Sequence, residues 1–312
     1  MDSIKPERQD ASRTGELIWL LGQPHLTDYV EFVRRKAVDG ADIAPAALVN
    51  EWRAANDYYY ELSEREAGIA ETIGCRPLPR QLRSLETAVR AHPWFQRSFG
   101  ELPTTIAMVE LDKLIASQIH VERGHHFAAA GALGRELEAR FHFCIPLERE
   151  LPPVRIQRLG ENRWMFSSQS TDLRSRAVEL VGADKLAALG IDGPVAAMIG
   201  VPVGFGSNFM SAVRSGKRIA LQNGYHRAYA LRSAGITHAP CIIEDVTRKD
   251  ELRLGGDAEL NADPEFYFAA PRPPLLKDFF DPRIAKTLQV RPIDTVVEVE
   301  ITVRSTMSTD WS

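Results

Sequence analysis

Arg218–Val246 reads RIALQNGYHRAYALRSAGITHAPCIIEDV, and this stretch decides the fold. An apolar run, Arg218–Gln222, reads as a strand and ends at Asn223-Gly224, a turn signal. A helix is then expected over Tyr225–Ser233, stopped by Gly235, with a second strand over Ala239–Val246. A strand that enters a helix through a glycine places the first-turn N–H groups and the positive end of the helix dipole beside the turn. That is an anion-binding arrangement. Arg227 adds a guanidinium suited to phosphate or carboxylate, and His226 adds either a cation or an acid/base group. The competing expectation is structural, with Arg227 paired to a structural carboxylate and His226 a satisfied core residue.

The run NGYHRAYALRSAGITHAPCII resembles the second box of the ParB/sulfiredoxin superfamily, with the matching positions at Gly224, His226, Arg227, Ala230, Leu231, Gly235 and Pro240. The first box of that family resembles Met108–Val121 (MVELDKLIASQIHV), with Val109, Leu111 and Leu114 as packing residues and Gln118 at the nucleotide-facing end. The resemblance implies an α/β (α+β) fold in which a small mixed sheet with helices cradles nucleotide phosphates on Gly224, His226 and Arg227. Three departures shape what it implies about activity. Tyr225 stands where sulfiredoxins carry their reactive cysteine, which argues against sulfinic-acid reduction. Gln118 cannot act as the carboxylate base of the amino-acid kinases on this fold, although Glu122 follows one turn later. The Pro-rich stretch after Val246 shows no helix-turn-helix pattern, which argues against DNA partitioning.

Working outward, residues 1–15 read as a disordered tail and residues 16–100 as a helical N-terminal region. There Leu48, Trp52, Ala55, Tyr59, Leu62 and Ile69 fall on one helix face, and Thr27-Asp28 reads as an N-cap. Residues 101–312 read as the ParB/sulfiredoxin-like α/β domain with a C-terminal extension. Within it strands are expected at Thr104–Leu111, Arg140–Leu147 and Thr295–Val303, and a hairpin joins Val154–Leu159 to Arg163–Ser167. Helices are expected around Phe127–Ala139, Ser175–Leu189, Phe209–Arg214 and Arg283–Leu288.

The formal net charge of −4 over 312 residues argues against charge-driven nucleic-acid binding. Cys75, Cys144 and Cys241 are odd in number, match no metal-finger spacing, and read as small core residues. The polar N-terminus lacks a signal-peptide core, and the longest apolar stretch, Val195–Gly206, falls far short of the roughly 20 residues a span needs. A cytoplasmic location and no membrane partner are therefore expected.

His120, His125 and His126 lie close to Glu122 in the chain and are candidate metal ligands, although a polar loop or a phosphate-side histidine is the reading the spacing favours. The glycine-rich run Gly200–Asn208 precedes an expected short helix, so Ser207 and Asn208 are candidate ligand contacts or a cap. Asp172 and Arg174 are candidate substrate contacts, and Glu244-Asp245 could hold Mg²⁺ with nucleotide phosphates. The expected function is a nucleotide-dependent enzyme transferring phosphate or adenylate to a small molecule, in the manner of a kinase. Asn223, Gly224, Tyr225, His226, Arg227, Gln118, Ser207 and Asn208 would contact the nucleotide (ATP, ADP or CTP with Mg²⁺), and Glu122 and His226 would be catalytic. The alternatives are a non-catalytic nucleotide switch, which could dimerise or dock partners through its helical N-terminal region, and a metal- or haem-dependent enzyme on the same fold.

Overall fold

The computed structural model describes residues 14–23, 26–134, 136–148, 150–170, 172–175, 177–191, 193–255, 258–291 and 294–305, with the side chains at 125, 187 and 253–255 outside that description. The tail expected before residue 14 lies outside the described residues. The strands of the N-terminal half are β1 (Gly15–Leu20), β2 (Cys75–Pro77), β3 (Thr104–Glu110), β4 (Ile115–Ala116) and β5 (His120–Glu122). They continue as β6 (Arg155–Arg158), β7 (Arg163–Ser168), β8 (Leu173–Ser175), β9 (Glu179–Gly182), β10 (Ala197–Gly200) and β11 (Val203–Phe205). The last are β12 (Ser211–Ser215), β13 (Arg218–Asn223), β14 (His238–Val246), β15 (Ala285–Val290) and β16 (Thr295–Glu300). The helices are α1 (Leu26–Lys36), α2 (Pro45–Arg65), α3 (Arg83–Ala91), α4 (Pro93–Phe99), α5 (His125–Ala132) and α6 (Leu137–Cys144). They are followed by α7 (Ala183–Leu186), α8 (Tyr225–Ser233), α9 (Lys249–Gly255), α10 (Ala258–Ala262) and α11 (Pro264–Phe268). The class is mixed α/β, and no described helix is long and apolar enough to cross a membrane.

The chain divides into two compact units, residues 1–148 with 207–292 and residues 149–206 with 293–312. The division falls elsewhere than at residue 101, because β1 pairs with both β5 and β15 and ties the N-terminal region into the larger unit.

The larger unit is built on a six-stranded mixed sheet of order β2-β3-β14-β12-β13-β4. Its centre is apolar on both faces: Ala212, Val213, Ala220, Leu221, Cys241, Ile242 and Ile243 are all buried, as expected of strands covered on two sides. β14 runs antiparallel to β3 and parallel to β12, which forms a hairpin with β13. Helix α8 leaves the end of β13 and is buried along nearly its whole length, with Tyr225, Arg227, Ala228, Tyr229, Ala230 and Leu231 all inaccessible. A three-stranded sheet, β15-β1-β5, forms the floor of a second core with α1 and α2. On α2 the buried residues Leu48, Ala55, Tyr59 and Leu62 follow helical spacing, so the aromatic face expected for docking is largely taken up by the fold itself.

The smaller unit holds the three-stranded sheet β16-β7-β6 and the two-stranded pairs β9-β10 and β8-β11. The hairpin expected around Gly160-Glu161-Asn162 is β6–β7, and the closing strand β16 pairs with β7.

Several elements differ from the sequence reading. Gly15–Leu20 is a strand inside the expected helical region, its last four residues buried against two neighbours. Leu137–Cys144 is a helix where a strand was expected at Arg140–Leu147; Phe141 and Cys144, one turn apart, bury against β14. Ser211–Ser215 is a central strand and not a helix, because it fills the slot between β13 and β14. Residues 175–189 give the strand β9 and only a short helix, α7. Ala285–Val290 is a strand that buries Leu288 and Val290 in alternation against β1. Cys144 and Cys241 are core residues, whereas Cys75 is exposed.

Candidate functional site

The turn between β13 and α8 takes its shape from Gly224, which sits at φ 97° as the N-cap of the helix. A side chain there would be strained by the backbone and would meet Met210, whose Cγ lies 3.0 Å from the position of a Cβ. The i→i−4 ladder of α8 begins with Ala228 N–H donating to Gly224 O at 2.8 Å. Tyr225, His226 and Arg227 thus precede the i→i−4 ladder and form the first turn of the helix.

The segment connecting β4 to β5 lies across this helix start. Tyr225 is buried, and its hydroxyl donates to Leu221 O while Ser117 N–H donates to it at 3.2 Å. Ser117 Oγ is also 2.7 Å from the Tyr225 hydroxyl. One position along, Glu122 N–H donates to His226 Nδ1 at 2.9 Å. An Nδ1 that accepts a hydrogen bond leaves the proton of the neutral imidazole on Nε2, so the ring can present a donor from its other side. Ser117 of the first box is thus brought to Tyr225 of the second, and Glu122, just beyond the first box, to His226.

Arg227 has a different placement. It is buried, and its Nη1 donates to Cys144 O at 2.8 Å and to Phe143 O at 3.3 Å. Both carbonyls lie at the C-terminal end of α6, where a cation offsets the negative end of the helix. These partners are backbone carbonyls and not the carboxylate of the structural alternative.

The other candidates are scattered. Asn223 closes β13 at a bulge opposite Ser211. Asn208 adopts a left-handed φ of 55° on the way into β12, so neither Ser207 nor Asn208 caps a helix there. In the smaller unit, Asp172 pairs with Arg174 and accepts from Gly206 N–H at 3.1 Å. Asp245 is matched by Arg214, with Nη2 to Oδ2 at 2.8 Å. Glu244 is buried on β14, and burial with the nearby Glu101 carboxylate pushes its pKa up to about 7. Neither residue of this pair is a ready Mg²⁺ ligand.

The histidines also separate. His120 stacks on Trp19, with ring centroids 5.6 Å apart and planes within 9°, and burial lowers its pKa. Its Nδ1 is buried without a hydrogen-bond partner among the described residues. His126 instead meets Phe143 edge-on at 6.0 Å. The side chain of His125 lies outside the described residues. Among the described residues no three His, Cys, Asp or Glu side chains come together in a metal-holding group.

Sequence reasoning missed two cavities in the larger unit. One, of about 520 Å³, has Ser117, Gln118 and His120 in its wall, together with Trp19, Phe32 and Tyr267. The other, of about 420 Å³, lies at the opposite end of α8 and includes Arg140, Gly235, Thr237 and His238. Neither is lined by Asn223–Arg227; the first reaches the turn through Ser117. Their walls come from segments far apart in the chain, so no local motif announced them.

Compared with protein-family models, curated proteins and solved structures, the chain matches none.

Proposed function

We propose that this protein is a nucleotide-dependent transferase whose phosphates meet the N-terminus of α8 at Gly224–His226. The observation that carries the reading is the joining of the two boxes: the Ser117–Glu122 segment is fastened across the first turn of α8 by the Tyr225 hydroxyl and by His226 Nδ1. A glycine-entered helix start with a second segment fastened beside it suits a polyphosphate, with amides and a dipole on one side. The ParB/sulfiredoxin resemblance of the same residues supports the same reading.

In this scheme first-turn amides and His226 Nε2–H stabilise charge on the phosphate oxygens, in a site where donors are held in place beforehand. Glu122 takes the proton from the acceptor hydroxyl as the acceptor oxygen bonds to phosphorus and the bond to the leaving phosphate breaks. Arg227 acts at one remove, by fixing the end of α6. Mg²⁺ would enter with the nucleotide, and no step depends on a metal ligand from this chain.

Titration of the full chain with ATP, ADP and CTP in Mg²⁺ tests the binding half, with inorganic phosphate as competitor. Release of ADP or pyrophosphate in the presence of candidate acceptors tests the catalytic half. Binding without any release would favour the non-catalytic switch over the transferase.

A further inference from the structure

Besides Ser117, Gln118 and His120, the cavity of about 520 Å³ is lined mainly by groups of two chemical kinds. Its inner surface is aromatic: Trp19 and Tyr267 are buried, and Phe32 and Phe266 are half-buried beside them. Its rim carries three carboxylates, Asp28, Glu259 and Asp263, all exposed. Among the described residues that line it there is no lysine or arginine.

The acids come from separate elements and converge only in the fold. Asp28 stands in the first turn of α1, Glu259 in α10, and Asp263 at the N-cap of α11, where its Oδ1 accepts from Phe266 N–H at 3.1 Å. That bond ties the Asp263 carboxylate to the backbone of the first turn of α11, which also carries Phe266. The imidazole in the wall offers no charge of its own, since burial against Trp19 favours the neutral form of His120.

Aromatic faces beneath a ring of carboxylates attract one class of ligand. A cation gains from the negative faces of the rings and from the opposite charge at the rim, while a neutral isostere gains only burial and an anion is repelled. The volume suits a small molecule and not a peptide. We propose that this cavity binds a small organic cation, an amine or quaternary ammonium joined to an apolar body, with the cationic group at the Asp28–Glu259–Asp263 rim and the body against Trp19 and Tyr267. This site stands on its own walls and does not require the anion site at α8.

The test is calorimetry on the full chain with phenethylamine and phenethyltrimethylammonium, against the neutral 2-phenylethanol and the anion phenylacetate, with no nucleotide present. The proposal predicts that the two cations bind at least about ten-fold more tightly than the alcohol, and that phenylacetate does not bind. In the Asp28→Asn/Glu259→Gln variant, cation affinity falls about ten-fold while the alcohol is unaffected; both side chains are exposed, so the fold is retained. Equal affinity for cation and alcohol, no binding by any of the four probes, or cation binding unchanged in the variant would each overturn it.

Discussion

The hydroxyl of Tyr225, the first residue of α8, lies 2.7 Å from Ser117 Oγ, and 108 residues of chain separate the two. Ser117 is buried and also donates its N–H to the same oxygen, at 3.2 Å. This contact holds the β4–β5 segment over the helix start. Removing the hydroxyl leaves Ser117 N–H and Oγ buried without that partner, a loss of about 1–3 kcal/mol. Tyr225→Phe is therefore expected to lower the denaturation midpoint and to weaken nucleotide binding. Unchanged stability would mean that Ser117 finds other partners at no cost.

Arg227 separates the strut from the ligand. Its Nη1 bonds to the Cys144 and Phe143 carbonyls bridge α8 to α6 inside the core. Arg227→Met should cost about 2–4 kcal/mol of stability, because two buried acceptors lose a charged donor. A variant that kept full stability and lost only nucleotide binding would return Arg227 to the phosphate site.

A buried ion pair lies within the C-terminal segment and reaches Glu66, the residue that caps α2. Arg272 and Asp278 are both nearly inaccessible, Arg272 Nη1 lies 2.5 Å from Asp278 Oδ2, and Nη2 reaches Glu66 Oε2 at 3.1 Å. Asp278→Asn strands a buried guanidinium, and the expected cost is about 3–5 kcal/mol by chemical denaturation. The double variant Arg272→Met/Asp278→Leu should recover much of that loss, because it removes both desolvated charges.

Stability should also depend on pH through Glu244. Its folded-state pKa of about 7 stands above the ordinary 4.5, because burial and the Glu101 carboxylate disfavour the charge. A carboxyl raised in this way binds its proton more tightly when folded, so its contribution is most favourable below pH 4.5. That contribution declines as pH rises towards 7. Glu244→Gln should flatten stability over this window and raise it at pH 8 by about 1–3 kcal/mol. A decline equally steep in the variant would assign the effect to other groups.

The turn at the centre of the fold was legible because local chemistry determines it. Gly224 and Gly235 both carry left-handed φ values, and the helix between them runs over Tyr225–Ser233 as its spacing indicates. The misread elements are those whose partners lie far away in sequence. The apolar run in Gly15–Leu20 becomes a strand because β15, some 270 residues later, lies beside it. Ser211–Ser215 becomes a strand because β14 arrives to complete its pairing. Propensity is overridden in both places by tertiary context. Of the candidate site, Gly224 and His226 announce a helix start, whereas the burial of Arg227 beneath α6 and the acidic aromatic cavity depend on contacts that no local pattern encodes.

If a nucleotide's phosphates meet the start of α8, as proposed, His226 is the side chain through which that contact is most readily measured. Its Nδ1 is engaged by Glu122 N–H, so Nε2 is the atom that would face the phosphates. Calorimetric titration of ATP with Mg²⁺ into the wild-type chain and into His226→Ala, with thermal melting of both, measures this atom's contribution. Micromolar-range binding by the wild type and a loss of about ten-fold or more in the variant are expected, with melting lowered by no more than the lost Glu122 N–H to His226 Nδ1 bond accounts for, about 1–3 kcal/mol. No binding by the wild type, or equal affinity in the two proteins, would contradict the proposed contact.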